Sequence, residues 1–288
     1  MKDLNYQLMK LCKANRDGSY STQATRSRIL DLIANQLHEL GYKHMQARSL
    51  KPKHVNTLVS LWKDQSIGVG TFKNRLSALR WWASKVGKAD IIARNNNAYG
   101  IGNRSYVGEA SRARLLDEKQ LDKVSDAYVR LSLQLQSAFG LRREEAIKFS
   151  PNYAIKGDHI KLKASWTKGG RARTVPIRTD RQRQLLEEVR KLARGGALIP
   201  PERNYVEQRN RYDGQVRTAG IKNPHGLRHA YAQRRYEELT GWKSPLAGGP
   251  NRSALSKDER VLDEKARGLI SRELGHDRTS ITRTYLGK

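Results

Sequence analysis

A single cysteine, Cys12, in 288 residues excludes an intramolecular disulfide and any zinc site built from several thiolates, and it fits a reducing compartment. Seven histidines are scattered without the spacing of a metal cluster, so no metal is expected. No apolar run approaches the roughly 18 residues needed to span a bilayer, and the first residues lack the apolar core of a secretion signal. The chain is expected to be soluble and cytoplasmic, with no membrane partner. Acidic residues are the largest deficit: 28 Asp and Glu stand against 56 Lys and Arg, a formal charge of +28. A polyanion is the natural partner of such a chain, and nucleic acid is the default polyanion.

Extended structure is scarce as well. Only residues 159–177 alternate like strands: Ile160, Leu162, Ala164 and Trp166 face one way, Gly169-Gly170 turns the chain, and Arg173, Val175 and Ile177 return. Elsewhere the apolar spacing is helical, so the expected fold class is mainly α with a small β-sheet. The length leaves room for two domains and a sizeable core in the larger one.

Residues 1 to about 20 carry little pattern and are expected to be a partly ordered lead-in. A helix over 22–40 puts Ile29 or Leu30, Ile33, Leu37 and Leu40 on one face, with Gly41 as its stop. A second follows Pro52, with Val55, Leu58, Val59 and Trp62 in register, and a third over 71–86 buries Phe72, Leu76 and Leu79. Between Phe72 and Lys88 there is no acid at all. Lys73, Arg75 and Arg80 on that helix are therefore candidates for pairing with phosphates, against the alternative of an ordinary solvated face. From 88 to 114 the pattern dissolves into Asn95-Asn96-Asn97, Gly100, Gly102, Gly108 and scattered arginines, a linker signal. Helices resume with Asp117 and Gln120 in a capping pattern, then an apolar helix ending near Gly140, then an amphipathic one over 180–193. The expected division is a helical domain over 1–94, a basic linker over 95–114 lying along the nucleic acid, and a second domain over 115–288.

The chemistry-bearing residues gather in the last stretch. In Pro224-His225-Gly226-Leu227-Arg228-His229, His225 and Arg228 stand three apart, so in a helix after Pro224 an imidazole and a guanidinium project from one face. A guanidinium grips two phosphate oxygens at once, and a neighbouring imidazole exchanges protons near neutrality. Gly275 stops the helix before it and leaves His276 in the turn; nine residues further on, Tyr285 falls in a short helical segment. A phenol beside two histidines and an arginine is a candidate nucleophile toward a phosphodiester, because it needs help to ionise and the phosphorane needs positive charge around it. Any one of these residues alone reads more simply as a surface group of a basic protein. Their joint spacing is what points to chemistry.

His-x-x-Arg, then Leu274-Gly275-His276, then Tyr285 resembles the C-terminal signature of the tyrosine recombinase (phage-type integrase) family. Two upstream stretches complete the resemblance. Gly140-Leu141-Arg142-Arg143-Glu144-Glu145 is similar to the family's Gly-Leu-Arg-x-x-Glu box, which implies Arg142 as the first catalytic arginine, Glu145 as its buried companion and Arg143 as a bystander. Ser165 to Ile177 resembles the family's hairpin lysine box and implies Lys168 at the tip; alone, Lys168 reads as an exposed hairpin lysine. The implied fold is an N-terminal helical core-binding (SAM-like) domain followed by a mixed α+β catalytic domain, which makes the 1–94 domain DNA-binding and the 115–288 domain catalytic. The implied activity is site-specific DNA recombination, for integration or excision of a mobile element, through a 3′-phosphotyrosine on Tyr285. Arg142 and Arg228 then neutralise the phosphorane, Lys168 protonates the departing 5′-oxygen, His225 assists proton transfer at the tyrosine, and His276 hydrogen-bonds the phosphate. Bond energy stays in the covalent link, so no cofactor and no metal are implied. Implied partners are double-stranded DNA, further copies of the chain in a tetramer on two DNA sites, and accessory DNA-bending or directionality factors, all at the nucleoid. Arg171 and Arg173 in the hairpin join Lys73, Arg75 and Arg80 as DNA-binding candidates. The alternatives are a type IB DNA topoisomerase, which lets the cut strand rotate, and a DNA-binding regulator without cleavage.

Two features depart from the family pattern. Arg228 and His276 are 48 residues apart, more than usual; the excess is a Gly- and Pro-rich loop over 241–250 and a helix opened by a Ser256–Glu259 capping box. Only three residues follow Tyr285, where many members carry a further helix that docks on a neighbouring subunit. The segment 241–265 is therefore expected to contact an adjacent protomer through Trp242, against the alternative of a surface insertion with Trp242 folded back on its own domain.

Overall fold

The opening stretch, expected to be loosely ordered, is a helix, α1 (Asp3–Ala14), because Leu4 and Leu8 stand one turn apart and bury against α2 (Tyr20–Glu39). The computed structural model describes residues 3–103, 108, 110–167 and 169–288, in two units, Met1–Ser105 and Tyr106–Lys288. In the first unit Ser19 opens α2 by accepting from the Thr22 backbone N–H, and Pro52 opens α3 (Pro52–Asp64) with its φ already helical. The fourth helix is α4 (Val69–Lys85). Their apolar faces meet in one core containing Leu30, Ile33, Leu37, Leu58, Trp62, Leu76, Leu79 and Trp82, where each fully buried Leu contributes roughly 1.5–3 kcal/mol. The two central indoles keep their N–H groups satisfied: Trp62 donates to Gln36 Oε1 at 2.9 Å and Trp82 to the Ala47 carbonyl at 2.9 Å. Ile92 and Ile101 belong to this core too, so apolar anchors pin the Asn-rich residues between them to the first unit.

The second unit begins with α5 (Glu118–Asp122), capped by Asp117, and α6 (Ala127–Phe139), capped by Asp126. Two short helices follow, α7 (Arg143–Ile147) and α8 (Pro151–Ala154). Then comes the three-stranded antiparallel sheet, β1 (Ile155–Lys156), β2 (His159–Leu162) and β3 (Arg173–Pro176), in sequential order. Ile160 pairs with Val175 and Leu162 with Arg173. The second strand is shorter than its alternation suggests: residues Ala164–Trp166 wind into a 3-10 turn. Next are α9 (Asp180–Ala193) and α10 (Tyr205–Thr218), each opened by a reciprocal capping box, Thr179 with Gln182 and Asn204 with Glu207. The last elements are α11 (Gly226–Thr240), α12 (Lys257–Glu273) and α13 (Arg283–Leu286).

The central helix of this unit is α11, which packs on both α6 and α12. Its Tyr231 and Tyr236 sit in the main core with Phe139, the strand residues Ile160, Leu162 and Val175, and Ile270 of α12. A second apolar cluster holds Tyr212 and Val216 of α10 against Val129 and Leu133 of α6. Residues of the expected linker lie on the start of α11: the Arg114 N–H donates to the Gly226 carbonyl at 3.0 Å, and Ser111 bonds Gln233. Among the described residues no helix is long and apolar enough to cross a membrane.

Candidate active site

Two chain reversals bring the site together. Gly140 ends α6 with φ +63°, and a Cβ there would lie 2.5 Å from Tyr231 Cδ1, so only glycine lets the α6 end press onto α11. Its carbonyl then faces α11 and accepts from Arg228 Nη1 at 2.6 Å. Gly275 reverses the chain after α12, and Leu274 just before it presents its carbonyl to Arg228 Nη2. Arg228 is thus completely buried between two carbonyls. Burial lowers its pKa to about 10, which leaves it charged at neutral pH.

The remaining Arg228 donors face the phenol. Nε lies 3.3 Å from Tyr285 Oη, and Nη2 lies 3.4 Å from His276 Nε2, which is itself 3.2 Å from Tyr285 Oη. The tyrosine is 5% exposed. His276, half-buried, has its pKa lowered to about 4, by burial first and then by the charges of Arg228, Arg142 and Arg173. It is a neutral ring at pH 7, able to accept a hydrogen bond from the phenol or, in the other tautomer, to donate one to an anionic oxygen. His225 stands just before α11 at the solvent edge; packing around its ring and the Arg228 and Arg142 charges lower its pKa as well.

Arg142 caps α7, with Glu145 three residues on folded back to it. The buried carboxylate accepts from the Arg142 backbone N–H at 2.6 Å and from Arg142 Nη1 at 2.8 Å. Arg143 points away and pairs with Asp213 of α10 at 2.6 Å. Lys168 lies outside the described residues. Its neighbour Arg171 is exposed and pairs with Asp277, beside His276.

Arg173 corrects the sequence reading. Placed there among the DNA-facing arginines, it turns inward, 8% exposed. Nη1 and Nη2 donate to the two Glu145 oxygens at 2.6 and 2.7 Å, and Nε donates to the Glu273 carbonyl at 2.8 Å. A buried carboxylate needs its remaining lone pairs hydrogen-bonded as well as a counter-charge, and Arg173 on β3 supplies two of those bonds. Arg173 thereby ties the hairpin, the Arg142 cap and the end of α12 into one piece. In the first unit, Arg80 is likewise taken up internally: it donates to the Ala93 carbonyl at 2.8 and 3.0 Å and to Asn96 Oδ1 at 2.8 Å. Arg75 is half-buried with its guanidinium over the Trp62 ring, 5.4 Å from the centroid. Lys73 is half-buried on the same helix.

Two residues not singled out in the sequence join the site. His229, one turn after His225, lies with its ring centroid 4.6 Å from that of Tyr285 and 5.5 Å from that of His225. Its Nδ1 is buried without a partner, and burial, followed by His225 and Arg112, lowers its pKa to about 4. Gln233, one turn later, donates to the Tyr285 backbone carbonyl at 3.0 Å. The helical period from His225 carries the signal for His229. Among the described residues no group of three or more His, Cys, Asp or Glu is placed to hold a metal.

Trp242 is folded back: it packs against the main core and meets Tyr236 edge-on, centroids 6.5 Å apart. The side chain expected to anchor a neighbouring protomer is instead half-buried in its own unit.

Two family models match the chain, one described as phage integrase, N-terminal, over residues 1–92, and one described as integrase, over residues 102–234. No curated protein matches it. Solved structures that share its fold include three described as a recombinase or an integrase. The XerH site-specific recombinase bound to palindromic difH substrate is 18% identical, with a TM-score of 0.58 over 98% of this chain and 80% of that one. A lambda integrase dimer bound to a COC′ core site is 16% identical, TM-score 0.61, over 99% and 77%. The Tn1549 transposon integrase in complex with circular intermediate DNA is 13% identical, TM-score 0.56, over 99% and 95%.

Proposed function

Because the chain belongs to the tyrosine recombinase (phage-type integrase) family, we propose that it is a site-specific DNA recombinase whose nucleophile is Tyr285. The observation that carries this reading is the phenol oxygen held between Arg228 Nε and His276 Nε2. A phosphodiester entering here meets a nucleophile, a fixed positive charge and a neutral imidazole at once. Tyr285 Oη bonds to phosphorus and its proton passes to a histidine: His276 Nε2 lies 3.2 Å from that oxygen, and His225 is the group that the family resemblance implies. The bond from phosphorus to the 5′-oxygen breaks, and Lys168 protonates that oxygen, since an alkoxide is a poor leaving group. The products are a 3′-phosphotyrosine and a free 5′-hydroxyl. Attack by the 5′-hydroxyl of a partner strand reverses the step and completes the exchange. Arg142 and Arg228 stabilise the charge that builds on the phosphorane.

XerH, lambda integrase and the Tn1549 integrase are each seen on their DNA, and lambda integrase also as a tetramer on a Holliday junction. We infer that this chain likewise takes duplex DNA and assembles as a tetramer on two sites, and an enzyme whose substrate is duplex DNA works at the nucleoid. Family membership favours this over a topoisomerase or a non-cleaving regulator. Lys73 and Arg171 are the DNA contacts retained from the sequence reading.

The test is a nicked suicide duplex resolved on a denaturing gel. Tyr285→Phe binds the duplex but yields no covalent adduct; an adduct as strong as that of the unaltered protein would refute the assignment. Lys168→Ala fails on normal DNA but recovers on a duplex with sulfur at the bridging 5′ position, because a thiolate leaves without a proton.

A further inference from the structure

The residues that follow Tyr285 are gripped from two sides by groups with no part in the chemistry. On one side Arg267 of α12, 7% exposed, donates from Nη1 to the Gly287 carbonyl at 3.0 Å. The same guanidinium is fixed by Asp263, one turn earlier, which accepts from Arg267 Nε at 2.7 Å. Asp263 is itself inaccessible, and it also accepts from Tyr236 Oη at 2.6 Å and from Arg252 Nη1 at 3.2 Å. Tyr236 belongs to α11, two turns beyond Arg228. The helix that holds the phosphate-side arginine therefore also fixes, through Tyr236 and Asp263, the arginine that holds the tail. On the other side lies the 241–250 loop. Gly287 has φ +91°, and a Cβ there would fall 2.9 Å from Pro245 Cβ and 3.1 Å from the Leu246 nitrogen. Leu286, between the two jaws, is fully buried.

We propose that Arg267, anchored by Asp263, is a positioning residue that, with the Pro245–Leu246 backbone, sets Tyr285 at its attack distance; this rests on Tyr285 being the nucleophile. The extra segment between Arg228 and His276 thus works within its own subunit. It clamps the chain immediately after the nucleophile, while Gln233 of α11 holds the Tyr285 carbonyl itself. Phosphoryl transfer is sensitive to such placement, since a shift of about 1 Å in a reacting group costs on the order of 100-fold in rate.

The experiment compares the unaltered protein with Arg267→Ala, Arg267→Lys and Gly287→Ala in single-turnover adduct formation at saturating suicide duplex. Arg267→Ala and Gly287→Ala, which disturb the two jaws separately, are expected to slow adduct formation about 10–100-fold, with the DNA dissociation constant changed less than about twofold. Arg267→Lys keeps a donor for one of the two acceptors and recovers part of the rate. Hydrogen exchange should rise in residues 282–288 and stay unchanged in β2, β3 and α11, a pattern that a loss of global stability does not give. Adduct formation at the normal rate in both alanine variants, or a rate loss accompanied by faster exchange throughout the unit, overturns the proposal. Absence of an adduct from the unaltered protein overturns the nucleophile reading beneath it, and the two failures are told apart by that control.

Discussion

Replacing Glu145 with Gln keeps the side chain's volume and removes one charge from a site with no access to water. Burial alone would raise the pKa of this carboxyl, but the Arg173 hydrogen bonds and the charges of Arg173, Arg228 and Arg142 bring it down from 4.5 to about 2. A folded pKa below the unfolded one means that ionisation stabilises the fold. That stabilisation is complete above the unfolded value and is lost as the pH falls toward the folded one. The shift corresponds to about 3 kcal/mol at pH 7, with about 2 kcal/mol remaining at pH 3.5. Glu145→Gln forfeits this term and also strands the inward-facing Arg173, so the expected loss at pH 7 is roughly 3–5 kcal/mol. Urea unfolding read by hydrogen exchange of the His159–Leu162 strand follows the catalytic unit alone, whereas tryptophan fluorescence would mix the two units. The gap between the two proteins should narrow by about 1 kcal/mol on going from pH 7 to pH 3.5. A loss under about 1 kcal/mol at pH 7, or a gap that widens in acid, would show that the carboxylate does not balance these arginines. Adding Arg173→Met to Glu145→Gln should restore part of the stability, because the stranded charge goes with it.

Both His229 and His276, with pKa values lowered to about 4, are neutral at pH 7. The unfolded chain takes up protons on them near pH 6.5 while the folded one does not until about pH 4, so the catalytic unit loses stability as the pH falls between those values. Single-turnover cleavage between pH 5 and 8 should then show no inflection from His276; an inflection that disappears in His276→Gln would contradict its neutral state. Gly140→Ala forces a left-handed backbone on a residue whose Cβ meets Tyr231, at a cost of roughly 2 kcal/mol or more. It also displaces the carbonyl that fixes Arg228, so adduct formation should fall further than DNA affinity; an unchanged urea midpoint would count against this account.

Local signals carried most of the fold. Capping pairs such as Ser256–Glu259, the stop at Gly140 and the apolar period of residues 180–193 act within one or two turns, and the helices begin and end where these place them. The opening helix does carry an apolar period, Leu4, Leu8, Leu11 and Cys12, but it lasts only about three turns and is diluted by the polar stretch that follows Ala14. For the site, Arg228, His276 and Tyr285 converge as their spacing suggests, yet their partners are non-local: Arg228 is held by carbonyls 88 and 46 residues away. Arg173 is the instructive miss. Alternation puts it on the same face as Val175, the inward face, whereas positive charge in a basic hairpin points to DNA. Only the distant buried Glu145 explains why a guanidinium faces the core. For Trp242 the structure shows the second of the two readings, folded back on its own unit, and its partner Tyr236 lies on the preceding helix, so nothing in the loop itself announces the contact.

The joint made by Arg173 also has a consequence in time. Its two acceptors are Glu145 and the carbonyl of Glu273, separated from it by 28 and 100 residues, and Arg228 waits for Leu274 and Tyr285 in the same way. During synthesis the early elements of the catalytic unit can collapse on local contacts, but the cluster of guanidiniums around Glu145 stays short of an acceptor until translation has passed α12. A nascent chain that already carries the whole first unit and most of the basic residues therefore has no assembled site until α12 and the segment holding Tyr285 have followed.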